Sequence, residues 1–341
     1  MNRKYDIDNK FIIKEDEKVK IIRSENFNLN FVKSSGYTET WGRNIEDDPD
    51  FCPIGPVIAD IEISEVCDEG CTFCYKSNNI NGKNMSIDTF KQVFHKLPRT
   101  LTQIAFGIGS IDGNKDLKKI MDYCLENDYQ KITPNITING SHMTAEWYDY
   151  LSKTCGAIAV SYYGEHCFNA VKELTDRGME QVNIHCILSE QTFDKCMDLI
   201  DKVQTDIRLE KLNAVVFLML KPRGRGEKFL RLSDEKYSIF VKKLFESKIN
   251  FGFDSCGAGR LLKEDIPEEV KKYITPCEST RESCYINVDG KFFPCSFTED
   301  GEGIDITKVN DFIEDVWMND KICQWRQKLL DNNCNCTIYE V

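Results

Sequence analysis

The stretch Cys67-Asp68-Glu69-Gly70-Cys71-Thr72-Phe73-Cys74 follows an apolar run at residues 57–64 that has the pattern of a β-strand. It places three thiols on one short segment, in a C-x3-C-x2-C spacing. Three thiolates on one loop suit a four-iron cluster in which one iron has no protein ligand and stays open to a small molecule. Cys67, Cys71 and Cys74 are therefore the first candidate metal ligands.

Two other interpretations of this stretch are weaker. Spacings of four and three also place the cysteines on one face of a buried helix, but Gly70 and its polar neighbours argue against a buried helix. A structural zinc site usually takes four ligands in two spaced pairs, and the nearest histidine, His95, lies well outside the loop. The spacing favours an iron–sulfur cluster.

With Phe73 before the last cysteine, the stretch resembles the C-x3-C-x-aromatic-C signature of radical S-adenosylmethionine (SAM) enzymes. In that family the three cysteines hold a 4Fe-4S cluster, and the methionine part of SAM chelates the fourth iron. Reduction cleaves the sulfonium to a 5′-deoxyadenosyl radical, which abstracts a substrate hydrogen. The resemblance implies that the three cysteines bind the cluster and that the backbone around Phe73 lies near the adenine.

Composition limits the classes of partner. The chain has 341 residues, of which 41% are hydrophobic, so one large domain and a smaller one are expected. A net charge of −12 argues against nucleic acid as a partner, because phosphate binding needs basic surface. The basic segment Lys221–Gly226 is the local exception, and charge runs of this kind are more often solvated loops than docking sites.

The sequence predicts a cytoplasmic protein with reduced thiols. No run approaches the roughly 20 apolar residues of a membrane span, and the first residues lack the apolar segment of a secretory signal. Sixteen cysteines in such a chain indicate metal binding more than a disulfide scaffold. Five of them fall within predicted strands and helices and are expected to be small buried hydrophobes: Cys124, Cys155, Cys167, Cys186 and Cys196.

Strand and helix patterns alternate six times from residue 57, which implies a parallel sheet with right-handed crossovers. A further short strand is predicted at 250–254. Alternation alone fits both an open doubly wound sheet and a partial barrel. The predicted strands are 57–64, 101–106, 131–138, 157–162, 181–188 and 212–220, and the predicted helices are 86–97, 115–127, 144–153, 165–177, 191–203 and 233–247.

The family resemblance favours the second fold, a partial (β/α)6 TIM-like barrel, with chemistry at the carboxyl ends of the strands. We predict a β extension at 1–51 with strands at 18–23 and 27–32, the barrel at 52–255, and a small α+β domain at 256–341. The cysteine loop follows the first barrel strand, as this fold requires.

Further SAM contacts are implied by the same resemblance. After the second strand, where many family members carry Gly-Gly-Glu, the chain has Gly107, Gly109 and Ser110 but no glutamate, so the contact there is altered. A phosphate-binding loop is the rival, but the G-x-G-x-x-G spacing is not met. Asn139 follows the third strand in a segment that resembles the family's Thr-Asn-Gly ending. The pair Asn-Gly is also common in turns. Ser161 ends the fourth strand, and the resemblance implies that its hydroxyl bonds the ribose or carboxylate of SAM. A hydroxyl that bonds only nearby backbone is equally expected there.

The cysteines return after residue 255. Asp289-Gly290 lies between alternating apolar runs and predicts a hairpin that brings Cys295 back toward the start of its partner strand. Cys277, Gly290 and Cys295 match the opening pattern of the SPASM and Twitch domains, which carry auxiliary iron–sulfur clusters in this family. A helix-like run at 311–330 resembles the helix that follows in those domains.

The dense cysteine segment that completes a full SPASM domain is missing, so the resemblance implies a single auxiliary 4Fe-4S cluster of Twitch type. Structural zinc at the same cysteines is the alternative. Cys284 and Cys334 are substitutes in the expected ligand set, which is Cys256, Cys277, Cys295 and Cys336.

The resemblance implies a radical SAM oxidoreductase or maturase that modifies a peptide by thioether formation, carbon–carbon crosslinking or epimerisation. A nucleoside, a sugar or another small molecule is the alternative substrate, and an electron donor such as flavodoxin or ferredoxin is the implied partner. A structural or redox-sensing metal protein is the non-enzymatic alternative. No catalytic residue is assigned: His185 on the fifth strand is more simply a satisfied interior histidine than an acid.

Overall fold

Seven parallel strands with helices between them form the central part of the computed structural model, which describes residues 3–7 and 10–339. Three further strands extend the same sheet at one edge. With the five N-terminal strands numbered β1–β5, the central strands are β6 (Ile58–Glu62), β7 (Gln103–Gly107), β8 (Pro134–Ile138), β9 (Ile158–Ser161), β10 (Val182–Leu188), β11 (Ala214–Met219) and β12 (Phe251–Phe253).

Amphipathic helices connect these strands and cover the outer face of the sheet. Ser86, Thr144 and Ser233 each precede a helix and accept a backbone N–H from its first turn, as good N-caps do. The predicted helices are confirmed with small shifts of their ends. They are α1 (Ile87–Lys96), α2 (Leu117–Glu126), α3 (Ala145–Thr154), α4 (Glu165–Asp176), α5 (Phe193–Thr205) and α6 (Asp234–Glu246).

The central strands pair in chain order from β6 to β12, and every pair is parallel. Within the described part of the chain β6 and β12 do not pair with each other, so the curved sheet stays open. This confirms the predicted partial barrel. Alternate residues of each strand face outward onto the helices, where Ile61, Phe90 and Phe94 belong to one continuous core.

The N-terminal segment forms its own antiparallel sheet. Both predicted strands are present, and the described residues add three more strands around them. The sheet packs around Ile13, Ile22 and Phe27, and Lys20 joins it to the barrel by donating from Nζ to the carbonyl of Leu101 at 2.6 Å. Its strands are β1 (Arg3–Ile7), β2 (Phe11–Glu15), β3 (Val19–Arg23), β4 (Asn28–Val32) and β5 (Tyr37–Trp41).

The last part of the chain extends the central sheet instead of forming a separate one. Strand β13 (Ser283–Ile286) pairs in parallel with β6 and continues through the predicted hairpin into β14 (Lys291–Phe293), with Gly290 in the turn at φ +74°. A Cβ is disfavoured at that φ, so glycine suits the position. β15 (Ile304–Asp305) then pairs with β14.

The single helix expected at 311–330 is wrong in one respect, because the run breaks in the middle. A π-helical turn at Ile313–Trp317 ends at Met318, and Asn319 then caps a new helix through its side chain. The helices of this region are α7 (Ala258–Leu261), α8 (Glu268–Lys271) and α9 (Asp320–Asp331). The division into three domains remains a prediction.

Candidate active site

The cysteine loop begins just past the carboxyl end of β6 and opens into a cavity of about 530 Å³. Cys67, Cys71 and Cys74 all line this cavity, and the backbone N–H of Cys74 donates to the carbonyl of Cys71 at 3.3 Å. Burial raises the pKa of the Cys67 and Cys71 thiols, and the charges of the neighbouring thiols raise it further. The structure therefore brings together the three thiols that the sequence singled out.

The glycines after β7 allow a close approach to this loop. A Cβ added at Gly109 would lie 2.6 Å from Cys67 Cβ and still closer to the carbonyl of Val66. The backbone N–H of Ser110 donates to that carbonyl at 2.8 Å. Gly107 and Gly109 line the cavity, so their predicted contact with SAM is compatible with their position.

Ser110 holds the cysteine loop through its side chain. Its hydroxyl donates to Asp68 Oδ1 at 2.6 Å and accepts from the backbone N–H of Asp68 at 3.3 Å. Ser110 is buried and is absent from the lining of the cavity. Its part in the site is thus to position the loop, and its proposed contact with SAM would need the backbone.

Asn139 supports the glycine segment from the neighbouring strand. Its side chain donates to the carbonyl of Gly109 at 3.4 Å and accepts from the backbone N–H of Ser141 at 2.9 Å. The next residue but one, Ser141, donates to Glu69 on the cysteine loop. Asn139 also lines the cavity, and its contact with SAM stays a prediction.

Aromatic rings form the wall beside the cysteines. The Phe73 ring packs against Tyr163 at 5.5 Å and against Phe229 at 5.9 Å between centroids. Tyr163 was missed by sequence reasoning, although it lies only two residues after the predicted Ser161. Burial raises the pKa of Tyr163, and the Cys71 thiol beside it adds to the effect. Ser161 lines the same cavity.

The expectation of a solvated loop at Lys221–Gly226 is wrong, because this segment packs directly on the cysteine loop. Arg225 Nε donates to the carbonyl of Cys71 at 2.8 Å, and Lys221 is buried against Asp254. Gly224 has φ +59°, and a Cβ there would meet the carbonyl of Tyr75 at 2.5 Å. The charges that suggested exposure are instead paired within the fold.

A buried charged network, also missed by sequence reasoning, lies at the end of β6. Lys76 Nζ is 2.9 Å from Glu62 Oε2, and it also contacts Glu299. Tyr285 from β13 donates to Glu62 Oε2 at 3.0 Å. Burial raises the pKa of Glu62 to about 7, although Lys76 lowers it. The available signal was the alternation of Asp60 and Glu62 within an apolar strand, which puts both carboxylates on the cavity side.

His185 faces the cavity from β10 with no hydrogen bond from its ring among the described residues. Burial lowers its pKa to about 4, so the ring is neutral. Each of the cysteines expected to be small hydrophobes is buried, and the Cys186 and Cys196 sulfurs are 3.4 Å apart.

A second set of cysteines surrounds a small cavity on the C-terminal side. Burial raises the pKa of three of these thiols to about 12, and neighbouring thiols of the set add to the effect. Lys221 and Tyr339 line the same cavity. The residues that share it are the ones expected from sequence, Cys256, Cys277, Cys295 and Cys336.

The two substitute cysteines lie elsewhere. Cys284 is on β13 opposite Ala59, and its side chain is buried in the same core as Ala59. Cys334 is absent from the lining of the small cavity, and its carbonyl accepts from the backbone N–H of Cys277 at 3.0 Å. Within residues 3–7 and 10–339 no group of three His, Cys, Asp or Glu side chains is arranged to hold a single metal ion. The donor chemistry of both sets, thiols alone, fits iron–sulfur clusters.

Comparison with known proteins agrees with this geometry. The sequence model of the Radical SAM superfamily matches residues 61–178, which include the cysteine loop. Among curated proteins, none matches this sequence at a significant level. No helix in the described part of the chain is long and apolar enough to cross a membrane.

Solved structures of similar fold include SuiB of Streptococcus suis, which is 15% identical over 79% of this chain and 67% of its own, with a TM-score of 0.59. SuiB bound to the precursor peptide SuiA is 16% identical over 79% of this chain and 66% of its own, with a TM-score of 0.61. The protein anSMEcpe with bound AdoMet is 16% identical over 79% of each chain, with a TM-score of 0.60. At such identities the likeness concerns the fold, and it confirms the partial barrel.

Proposed function

From the premise that residues 61–178 form a radical SAM domain, we propose that this protein cleaves SAM reductively and modifies a peptide by hydrogen abstraction. Cys67, Cys71 and Cys74 would hold the 4Fe-4S cluster that receives SAM. When bound, that cluster supplies the electron that turns SAM into a hydrogen-abstracting radical. The chain's own contribution is to hold the loop, enclose the substrate and exclude water.

One observation carries this proposal: both cysteine sets open into the same cavity. The large cavity is lined by the three loop cysteines and also by Cys256, Cys277 and Cys295. A substrate bound there would lie between a site that starts radical chemistry and a second site able to accept an electron from the product. The second set is proposed to hold one auxiliary 4Fe-4S cluster, with Cys336 as its fourth ligand.

The walls of the cavity supply the positions for SAM. Phe73 and Tyr163 form an apolar face beside the loop cysteines. Gly107, Gly109 and Asn139 line the adjacent edge at the ends of two strands, and Ser161 follows on the next strand. The backbone and small polar groups along this edge support the proposal that these residues contact SAM.

A peptide is the substrate we favour. SuiB has been solved with a precursor peptide and anSMEcpe with the Cp18Cys peptide. This chain shares their fold, and its cavity is bounded by two cysteine sets on different elements. The electron donor is proposed to be a small redox protein such as flavodoxin or ferredoxin.

The class of reaction is tested by anaerobic reconstitution with iron and sulfide. With dithionite and SAM, the wild-type protein is expected to form 5′-deoxyadenosine, measured by liquid chromatography with mass spectrometry. Cys67→Ala, Cys71→Ala and Cys74→Ala should each abolish it, because each removes a ligand of the cluster that receives SAM. Wild-type protein that folds and binds iron yet forms no 5′-deoxyadenosine would leave only a structural or redox-sensing role.

The substrate is tested with short peptides encoded next to the gene. The expected result is a change in mass of the peptide, or uptake of deuterium from heavy water if a centre is epimerised. If 5′-deoxyadenosine forms but every such peptide is unchanged, a small molecule or nucleoside becomes the substrate to pursue. The two experiments therefore distinguish a failure of the radical SAM reaction from a wrong choice of substrate.

A further inference from the structure

We propose that Arg225 is a positioning residue for the first cluster: it fixes the cysteine loop and raises the reduction potential of the cluster held there. The inference rests on the proposed function in one respect only, namely that Cys67, Cys71 and Cys74 bind an iron–sulfur cluster. Arg225 lies far along the chain from this loop, in the segment between β11 and α6.

The side chain of Arg225 reaches two carbonyls of the loop region at once. Its Nε donates to the carbonyl of Cys71 at 2.8 Å, and its Nη1 donates to the carbonyl of Asn78 at 2.9 Å. The planar guanidinium presents its donors in a fixed fork, so two such bonds set the distance between the carbonyls they join. The fork therefore connects the middle of the cysteine loop to the segment that follows it.

The backbone of the same residue adds two more contacts. The N–H of Arg225 lies 3.0 Å from the carbonyl of Cys74 and 3.1 Å from Ser77 Oγ, so one donor is shared between both acceptors. Gly224 makes this approach feasible, because any side chain there would collide with the carbonyls of Tyr75 and Cys74. Arg225 thus contacts the loop near two of its three thiols.

The loop needs such support because it has little regular structure of its own. It lies outside any helix or strand, and only a few of its backbone groups pair within it. Carbonyls near a bound cluster that lack partners would be free to shift, and the thiols would move with them. An arginine that satisfies them keeps three sulfurs in place for the metal.

The positive charge of Arg225 is expected to raise the reduction potential of the cluster. Asp68 and Glu69 on the loop are negative, and an added electron makes a thiolate-bound cluster more negative still. A guanidinium beside the loop favours the reduced state by Coulomb attraction. Surrounding charge is one of the factors that set iron–sulfur potentials.

The test compares Arg225→Lys and Arg225→Met with the wild-type full chain, reconstituted anaerobically. Lys228→Met is the matched control, since Lys228 is an exposed cation on the same segment. Two quantities are measured: the rate at which iron is lost to a chelator, and the midpoint potential of the cluster whose electron paramagnetic resonance signal changes when SAM is added. Circular dichroism checks that each variant is folded.

Arg225→Met should lose iron several-fold faster and show a more negative midpoint potential. Arg225→Lys should also lose iron faster, because an ammonium cannot replace the fork, but it should keep a potential close to wild type. Lys228→Met should match wild type in both. Should Arg225→Met fold but bind no iron, that loss supports the positioning role, and Arg225→Gln, which keeps N–H donors without the charge, tests the potential.

A folded Arg225→Met protein with wild-type iron retention and potential would overturn the inference. If Lys228→Met shifts the midpoint potential as much as Arg225→Met does, the charge argument is also overturned. The shift would then not depend on a charge beside the cysteine loop. If the wild-type protein binds iron but forms no 5′-deoxyadenosine, the proposed function fails while the role of Arg225 in cluster retention can still be measured.

Discussion

Tyr285 on β13 donates its hydroxyl to Glu62 Oε2 on β6 at 3.0 Å, across two strands whose residues are 223 positions apart in the chain. The same hydroxyl contacts Glu299 Oε1 at 3.2 Å, and Lys76 bridges both carboxylates. This network joins the segment after the first cysteine set to the segment after Cys295. It is thus a direct link between the two sites.

Removing the hydroxyl should weaken that link. Tyr285→Phe leaves two buried carboxylates with one partner fewer, and we expect a loss of about 1–3 kcal/mol in the free energy of unfolding. Urea denaturation followed by circular dichroism measures it. Tyr273→Phe, at a side chain that is 85% exposed, is the matched control and should unfold like wild type. Equal stability of the two variants would contradict the prediction.

Asp60 predicts a pH dependence of stability. Its side chain is exposed to the cavity and has no hydrogen bond or ion pair among the described residues, and desolvation within this enclosed space raises its pKa from 3.8 to about 6. A carboxyl whose pKa is higher in the folded state stabilises the protein below pH 3.8, and that contribution is lost as the pH rises through about 6. Asp60→Asn should therefore gain stability relative to wild type across this window.

Unfolding curves at a series of pH values test this. The exposed Asp128→Asn variant is the control for the general effect of replacing a carboxylate. If the difference between wild type and Asp60→Asn stays constant across the window, the carboxyl of Asp60 is not destabilised by its surroundings.

Iron analysis should separate the two cysteine sets. With both clusters present, the reconstituted chain should hold about eight irons, and Cys336→Ala should reduce this toward about four. Cys334→Ala is the control, because its thiol is absent from the lining of the second cavity. A value of about four in wild type, or equal losses in both variants, would contradict the assignment of the second set.

Gly109 predicts a steric effect on the first site. Gly109→Ala would place a methyl group against Cys67 Cβ and the carbonyl of Val66, so the cysteine loop must shift. Overpacking of this kind typically costs about 1–3 kcal/mol, and cluster uptake should fall with it. Gly252→Ala, where an added Cβ meets nothing within 4 Å, should leave both iron content and stability unchanged.

Local patterns predicted the parts of this structure whose causes are local. The three cysteines of the first set lie within one loop. The helices that follow Ser86 and Thr144 begin where the hydroxyl of each residue accepts the N–H of the residue three positions later. Hydrophobic periodicity indicated the order of the barrel strands, because each strand and helix must bury one face.

Contacts between distant segments were not predictable in the same way. Arg225 bonds a carbonyl 154 positions away, and its charge by itself suggested solvent. The helix at 311–330 appeared continuous because Trp317 and the residues around it are apolar with helical spacing, whereas Asn319 caps a new start. Three of the N-terminal strands were missed, because a strand of five residues has too few positions to show a clear alternation.

The parallel pairing of β13 with β6 also has a consequence for biosynthesis. As the chain leaves the ribosome, the barrel strands can assemble in order, but the outer edge of β6 stays without a neighbour until residues 283–286 have emerged. An unpaired strand edge invites wrong association. The cysteine loop follows that same strand, so its enclosure waits for the end of translation. Iron and sulfide are therefore expected to reach the loop before β13 pairs with β6, while that edge is still open.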